Sequence, residues 1–204
     1  MAKRRTAERT RRELLSATFK QSYHKGFRAA SLGDILRDTK VTKGALYHHF
    51  DSKRAMGHAM VEEVLGAVIQ RTWIDPLRDA TDPLTRLQEI MAATFGRLSR
   101  RDIELGCPLN NLALEMSPID EDFRRRLDEV YALWVDGIAE ALTGGREAGM
   151  VRKDIDPART AAFIVGAIAG ARAMAKTARS AEVLTGCADS LRQYLAFLRP
   201  DGAG

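Results

Sequence analysis

Apolar side chains recur every three or four residues along most of the chain, and no stretch sustains the alternation typical of a half-buried strand. Over residues 7–25 this spacing places Leu14, Leu15 and Phe19 on one face, and Gly26 follows in the position of a helix C-cap. The pattern therefore predicts a long first helix that ends at residue 25.

Two short helices are predicted next. Ser31 and Asp34 have the spacing of a capping box, in which two side chains satisfy backbone amides at a helix start. Residues 39–41 form a turn, and Thr42 is placed to cap a further helix over residues 43–49. Two short helices joined by a three-residue turn and supported by a longer helix describe a helix-turn-helix, whose second helix enters the DNA major groove.

The remainder of the chain is predicted to form longer helices. A linker helix capped by Asp51 or Ser52 is expected over residues 52–73, and Asp-Pro pairs mark two later helix starts. We therefore predict an all-α fold, with an N-terminal three-helix helix-turn-helix domain at residues 1–51 and a C-terminal helical domain at residues 52–204. The body helices are expected over residues 83–100, 107–116, 120–148, 157–178 and 181–198, with a kink or an interruption of the third at Gly144 and Gly145.

Charge is distributed unevenly between these parts. Residues 1–60 hold 14 lysines and arginines against five acids, whereas the remaining residues hold 18 basic and 22 acidic side chains. A positive excess at one end favours contact with a polyanion such as nucleic acid. A solvated basic face is the alternative that charge alone leaves open.

The cysteine content and the apolar runs indicate the compartment. Cys107 and Cys187 are too few for a disulfide scaffold, and no secretory signal pattern opens the chain, so we expect a cytoplasmic protein. The longest apolar stretch, residues 161–175, contains Arg172 and is shorter than a membrane span, which favours a buried helix. No membrane partner and no cofactor are expected.

The segment KGALYHHFDSK, residues 43–53, concentrates basic and aromatic side chains on the predicted third helix. His48 and His49 are consecutive, so they point about 100° apart and do not readily chelate one metal ion. No carboxylate is placed to orient either imidazole for catalysis. Leu46 and Phe50 are four apart and are expected to face the core, which leaves the polar groups directed outward to phosphates and base edges.

The stretch GFRAASLGDILRDTKVTKGALYHHFDSK resembles the DNA-binding signature of TetR-family transcriptional regulators, and the similarity covers residues 8–56. The resemblance implies a homodimer that binds double-stranded, pseudo-palindromic operator DNA, with one recognition helix for each half-site. Two positions depart from the family pattern. Ala30 replaces a frequent threonine, which removes one expected phosphate contact. Lys40 replaces a frequent glycine, which would require a left-handed backbone costing about 1 kcal/mol.

The predicted DNA contacts come from the N-terminal tip and from the third helix. Thr42, Lys43 and Ala45 are expected against base edges, and Gly44 allows the backbone to approach closely. Arg4 and Arg5 are expected to reach phosphates or the minor groove from the tip. The other predicted phosphate contacts are Ser31, Tyr47, His48 and Lys53.

The resemblance also implies a dimer interface and a small-molecule effector pocket in the C-terminal domain. The interface is expected on the helices over 120–148 and 157–178, although the same apolar stripes would suit an internal core. Its predicted residues are Leu127, Tyr131, Phe163, Gly166, Gly170 and Met174. The effector pocket is expected near the linker helix and the long helix, with Met91, Phe95, Leu98, Cys107, Asn110, Asn111, Leu114, Met116 and Trp134 as its lining.

Cys107 has a second interpretation. It precedes Pro108 and is expected at a helix N-cap, where the positive end of the helix dipole favours a thiolate. Arg100 and Arg101 lie a turn or two upstream, and the segment GCPLNNLALE resembles a TetR branch that includes electrophile and oxidant sensors. A thiol sensor and a buried thiol that merely fills space are therefore the alternatives, whereas Cys187 has no comparable activation.

These features favour a ligand-responsive transcriptional regulator, a repressor, over two other classes. An enzyme is not supported, because the sequence contains no phosphate loop, nucleophile triad or metal-binding constellation. A dimeric DNA-binding or adaptor module without an effector remains the alternative. In a repressor, the effector must bind the DNA-incompetent spacing of the recognition helices more tightly, since equal affinity for both states shifts nothing.

Overall fold

The computed structural model describes residues 2–200, with side chains from Ala7 onward. Within this range the protein is helical and contains no strand, which confirms the predicted all-α class. The helices are α1 Ala2–Lys25, α2 Leu32–Arg37, α3 Lys43–His49, α4 Lys53–Met60, α5 Gly66–Ile69, α6 Pro83–Gly96, α7 Arg100–Leu105, α8 Pro108–Met116, α9 Glu121–Glu147, α10 Pro157–Ala178 and α11 Ala181–Phe197.

The helix ends of the N-terminal region follow the predicted capping signals. Gly26 ends α1 with φ of 87°, a left-handed conformation that glycine adopts without steric cost. The capping box of Ser31 and Asp34 opens α2, and the Thr42 hydroxyl accepts the Ala45 amide hydrogen bond at the start of α3. Ser52 rather than its neighbour caps α4.

The linker is continuous but is not a uniform α-helix. After α4 the backbone passes through a π-helical turn, Val61–Leu65, then α5, then a second π-helical turn, Gln70–Ile74. An α-helix has 3.6 residues per turn, so side chains spaced four residues apart move gradually around its surface. The π-helical turns have more residues per turn and keep such side chains on one side. The apolar residues four apart stay on the buried side as a result: Val61, Leu65, Ile69, Trp73 and Leu77.

One predicted body helix ends too late. The helix expected over 83–100 stops at Gly96, and a separate helix, α7, begins after Ser99. Ser99 and Asp102 form a second capping box, which satisfies the amides of a new helix start. The expected interruption at Gly144 and Gly145 is also wrong, because α9 continues through both glycines.

The described chain forms two compact units that are discontinuous in sequence. The first contains the described residues up to Ala67 together with Pro108–Val130, and the second contains Val68–Cys107 and the described residues from Tyr131 onward. The helix-turn-helix thus shares its compact unit with α8 and the start of α9. The functional boundary after residue 51 stays a prediction.

Gly57 makes close packing possible in the first unit. A Cβ atom at this position would lie 2.5 Å from the Phe27 ring and 2.6 Å from the Phe123 ring, and those rings have centroids 4.9 Å apart. Overpacking of this kind typically costs about 1–3 kcal/mol because neighbouring side chains must leave their preferred positions. Gly57 is therefore required by the contact between the turn after α1 and the start of α9.

We expect Gly57→Ala to lower the free energy of unfolding by about 1–3 kcal/mol, measured by urea denaturation followed by circular dichroism. Gly144→Ala is the matched control, because a Cβ there has no atom within 4 Å and alanine favours a helix over glycine. Equal unfolding midpoints for the two variants would contradict the proposed packing role.

Candidate DNA-binding surface and effector region

The recognition helix α3 has one buried side and one exposed side. Leu46 and Phe50 are buried, as their four-residue spacing predicted. The guanidinium of Arg11 lies 5.0 Å from the centroid of the Phe50 ring, which ties α1 to the residue that ends α3. The helix is thus fixed by its apolar side while its polar side faces solvent.

Most of the predicted base- and phosphate-contacting groups lie on that exposed side. Thr42, Lys43, Gly44, Tyr47 and His48 are exposed, and Ala45 is half-buried. The Thr42 oxygen already accepts an amide hydrogen bond, but its hydroxyl proton remains available to an acceptor on DNA. The exposed side therefore presents a cation, a hydroxyl, a phenol and an imidazole within one short helix.

The two adjacent histidines differ in environment. The centroids of the His48 and His49 rings are 5.5 Å apart, and only His48 is exposed. Partial burial, followed by the nearby charges of His48 and Arg11, lowers the pKa of His49. The environment of His49 therefore favours its neutral imidazole.

The turn between α2 and α3 is built without a left-handed residue. Lys40 does not have positive φ, so the strain expected for a lysine in a frequent glycine position is absent. The Glu13 carboxylate accepts the Lys40 amide hydrogen bond at 2.9 Å, and the Thr39 hydroxyl accepts that of Val41 at 3.2 Å. These acceptors satisfy the turn amides without requiring a left-handed residue.

Four predicted DNA contacts have other roles or lie outside the description. The Ser31 hydroxyl is exposed but belongs to the capping box of α2. Lys53 is half-buried, and its Nζ donates to the Arg28 carbonyl at 3.1 Å. The side chains of Arg4 and Arg5 lie outside the described residues. Ala30, where the family often has threonine, is fully buried and presents no group to solvent.

The nine predicted effector residues divide between the two compact units. Asn110, Asn111, Leu114 and Met116 belong to α8 in the first unit, and the other five belong to the second. Leu114 is 71 % exposed, so its side chain does not line an enclosed pocket within the protomer. Met116 is buried, and both asparagines are half-buried.

In the second unit, three predicted effector residues line a cavity between α6, α7 and α11. Its volume is about 210 Å³, and Met91, Phe95 and Leu98 contribute to its wall. A larger cavity of about 690 Å³ lies between the end of the linker and α9, and none of the predicted residues lines it. Residue spacing does not predict this second cavity, because its wall combines small, charged and apolar residues that also suit an ordinary amphipathic helix.

Trp134 is the most enclosed of the predicted effector residues. It is 2 % exposed, its ring centroid lies 5.0 Å from that of Trp73, and its indole Nε1 has no hydrogen-bond acceptor among the described atoms. A buried donor without an acceptor costs free energy, which a water or a ligand with an acceptor atom would recover. Trp134 therefore has an unused buried donor, although it lines neither of the two cavities described above.

Cys107 is buried directly before the first residue of α8, as the proline spacing predicted. The Arg172 guanidinium donates to the carbonyl of Gly106, the residue before Cys107. Burial raises the pKa of the Tyr131 phenol, and the nearby Cys107 raises it further. The phenol beside Cys107 is therefore neutral. The buried thiol is thus flanked by a backbone carbonyl held by Arg172 on one side and by the first residue of α8 on the other.

The predicted interface residues separate into buried and exposed groups. Leu127 is only 1 % exposed, so it has almost no surface to offer a partner, and Tyr131 is half-buried. Phe163 and Met174 on α10 are 54 % and 59 % exposed, and Gly166 and Gly170 lie exposed between them. α10 is long and apolar enough to meet the composition of a membrane span, but its opposite face is buried in the protein, as in a core helix.

Comparison with known proteins assigns the family. Residues 14–60 match the family described as bacterial regulatory proteins, tetR family, and residues 83–191 match the family described as tetracyclin repressor-like, C-terminal domain. The HTH-type transcriptional repressor DhaR of Mycobacterium sp. strain GP1 is 32 % identical over 161 residues, covering 78 % of this chain and 79 % of DhaR.

A solved structure supports the same assignment over a greater length. The HTH-type transcriptional repressor NemR of Escherichia coli K12 is 27 % identical over 191 residues, covering 94 % of this chain and 96 % of NemR. The crystal structure of its reduced form aligns with a TM-score of 0.81 and 28 % identity, covering 96 % of this chain and all of that one. The chain therefore belongs to the TetR family of transcriptional regulators.

Proposed function

We propose that the protein is a cytoplasmic repressor that binds a pseudo-palindromic operator as a homodimer and releases it when an effector binds its C-terminal domain. The observation that carries this proposal is the exposed side of α3, where Lys43, Tyr47 and His48 project from a helix whose other side is buried. Such a rigid helix with polar groups on one side suits the major groove, where base edges present hydrogen-bonding groups.

Selection of bound duplexes from a random DNA pool tests the proposal. We expect enrichment of two half-sites related by a two-fold axis, with centres separated by whole helical turns of about 10 base pairs. Affinity for the enriched duplex should fall steeply with salt, because basic side chains displace counterions from phosphates. Enrichment of no sequence, or of a single unpaired half-site, would contradict the proposal.

A second copy of the chain is the proposed occupant of the exposed apolar surface on α10 and α11. Phe163 and Tyr194 pack with ring centroids 4.8 Å apart beside Gly170, and the groove around them extends along both helices. A Cβ atom at Gly170 would meet no atom within 4 Å, so a helix from another subunit has room to approach closely. This assignment replaces α9 by α11 as the second helix of the proposed interface, since Leu127 is buried.

The proposed effector contains a hydrogen-bond acceptor and an apolar body. The unsatisfied Nε1 of Trp134 requires the acceptor, and the neighbouring Trp73 ring favours apolar or aromatic contact. NemR and DhaR are transcriptional repressors, which supports repression as the action of the DNA-bound protein. Ligand screening by thermal melting identifies the effector.

Electrophile or oxidant sensing by Cys107 is a second candidate trigger, favoured by the Arg172 contact beside the thiol. We expect hydrogen peroxide to weaken operator binding by the unmodified protein by about 5- to 150-fold, the range of ordinary allosteric coupling. Cys107→Ser should bind the operator normally but lose this response, as measured by fluorescence anisotropy. Cys187→Ser is the control and should respond like the unmodified protein.

Two results would oppose thiol sensing. If peroxide leaves the DNA bound, or if the Cys107→Ser variant responds equally, Cys107 contributes only packing. The effector would then be a noncovalent ligand. The proposal that the dimer represses transcription would still stand, because it does not depend on the thiol.

A further inference from the structure

Carboxylates from distant positions hold two turns of the DNA-binding helices. Glu13 accepts the amide hydrogen bond of Lys40 in the turn before α3. Glu115 accepts those of Phe27 and Arg28 in the turn before α2. Glu13 belongs to α1, within the helix-turn-helix region itself, whereas Glu115 belongs to α8. The second turn is therefore held by a helix that also carries four of the predicted effector residues.

The Glu115 carboxylate binds the backbone through both of its oxygen atoms. Oε2 accepts from the Phe27 amide at 2.9 Å, and Oε1 accepts from the Arg28 amide at 2.8 Å. Hydrogen bonds to an ionised acceptor are stronger than neutral ones, and two parallel bonds also fix orientation. Gly26 makes room for the carboxylate, because a Cβ atom there would lie 3.1 Å from Oε1.

The turn held by Glu115 positions the elements on both sides of the recognition helix. It leads directly into Ser31, the N-cap of α2. The Arg28 carbonyl accepts a hydrogen bond from Lys53, the first residue of α4, and the Lys53 ammonium lies 4.7 Å from the centroid of the Phe27 ring. A shift of Glu115 would thus displace the start of α2 and the start of α4, between which α3 lies in the chain.

The start of α8 is joined to the proposed effector region by the chain itself. Cys107 immediately precedes Pro108, and Glu115 lies two turns further along the same helix. A short continuous helix transmits displacement of one end to the other because its hydrogen bonds are internal. We propose that Glu115 is a positioning residue for DNA binding, through which α8 sets the orientation of α2 and α3; this assignment rests on the proposed function.

Coupling of this kind acts in both directions. If α8 orients the DNA-binding helices through Glu115, operator binding must in turn restrict the motion of α8. Amide hydrogen exchange in residues 108–116 reports that restriction, and it is independent of the identity of the effector. Loss of a merely stabilising contact would speed exchange with and without DNA alike, but would not abolish the slowing caused by DNA.

The test compares Glu115→Gln with Glu13→Gln, using the operator duplex selected from the random pool. Both variants replace a carboxylate that accepts a turn amide by a neutral amide of the same size. We expect Glu115→Gln to bind the operator roughly tenfold more weakly and to lose the DNA-induced slowing of exchange in α8. Glu13→Gln should also bind more weakly, but should retain the slowing in α8.

Glu115→Asp provides a second variant that keeps the charge but shortens the reach, and it should show the same two changes. The assignment requires both changes, so normal affinity or retained slowing in α8 overturns it. Absence of slowing in the unmodified protein bound to its operator overturns it as well. If the unmodified protein binds no selected duplex, the proposed function itself fails, which is seen before any variant is compared.

Discussion

Replacing Gly170 by glutamate is expected to convert the protein to monomers and to lower its operator affinity by about 10²- to 10⁴-fold. Gly170 is exposed between Phe163 and Met174, and a Cβ atom there meets nothing within 4 Å in the protomer. The variant should therefore fold normally. In a dimer, however, its carboxylate would be desolvated without a partner, which is strongly unfavourable.

Sedimentation velocity measures the loss of the dimer, and fluorescence anisotropy measures the loss of DNA binding. The affinity falls because two linked recognition helices bind two half-sites far more tightly than one helix binds a single half-site. Ala93→Glu is the control, because it introduces the same charge at an exposed position of α6. An intact Gly170→Glu dimer would show that this surface is not the interface.

Replacing Lys43 by alanine is expected to change which operator sequence is preferred. Lys43 is exposed at the start of α3, where the first residues of a recognition helix contact base edges. A lysine that donates to guanine contributes about 1–3 kcal/mol of discrimination, so preference at one position of each half-site should relax. Selection from a random pool, repeated with the variant, measures that change.

Lys53→Ala is the comparison for this prediction. A phosphate contact from Lys53 would make binding to all sequences weaker and reduce the salt dependence by about one unit of slope. Lys53 also contacts the Arg28 carbonyl and the Phe27 ring, so its removal should weaken DNA binding further, and equally for every DNA sequence. Unchanged base preference in both variants would remove Lys43 from the base-contacting set.

Local features of the fold could be predicted because they depend on residues close in sequence. The capping box of Ser31 and Asp34 and the N-cap at Thr42 follow from spacings of three residues, and both are present. The separate helix α7 was missed, although Ser99 and Asp102 carry the same signal. The apolar pattern of α6 continues past Gly96, so periodicity alone predicts one helix where the structure has two.

Long-range contacts could not be predicted from spacing. The acceptor for the Lys40 amide lies 27 positions away and that for the Arg28 amide lies 87 positions away. Whether such side chains meet is decided by helix packing, which periodicity does not specify. For this reason spacing predicts strain at Lys40, whereas in the structure Glu13 holds the Lys40 amide in a turn without positive φ.

The same limit applies to the candidate interface. Periodicity shows that one side of a helix is apolar, but it does not distinguish a side that packs within the chain from one that packs against a partner. Leu127 and Phe163 both lie on such apolar sides, yet the first is buried and the second is exposed. Only the burial of each side chain in the structure distinguishes the core position Leu127 from the surface position Phe163.

The proposed repressor binds DNA as two copies that contact two half-sites on one face of the duplex. The direct test is the affinity for the selected operator before and after insertion of five base pairs between its half-sites, measured by fluorescence anisotropy. Five base pairs are about half a helical turn, so the insertion moves one half-site to the opposite face of the duplex. We expect the insertion to lower affinity by about 10²- to 10⁴-fold, whereas equal affinity for the two duplexes would show that the two half-sites are not bound together by one dimer.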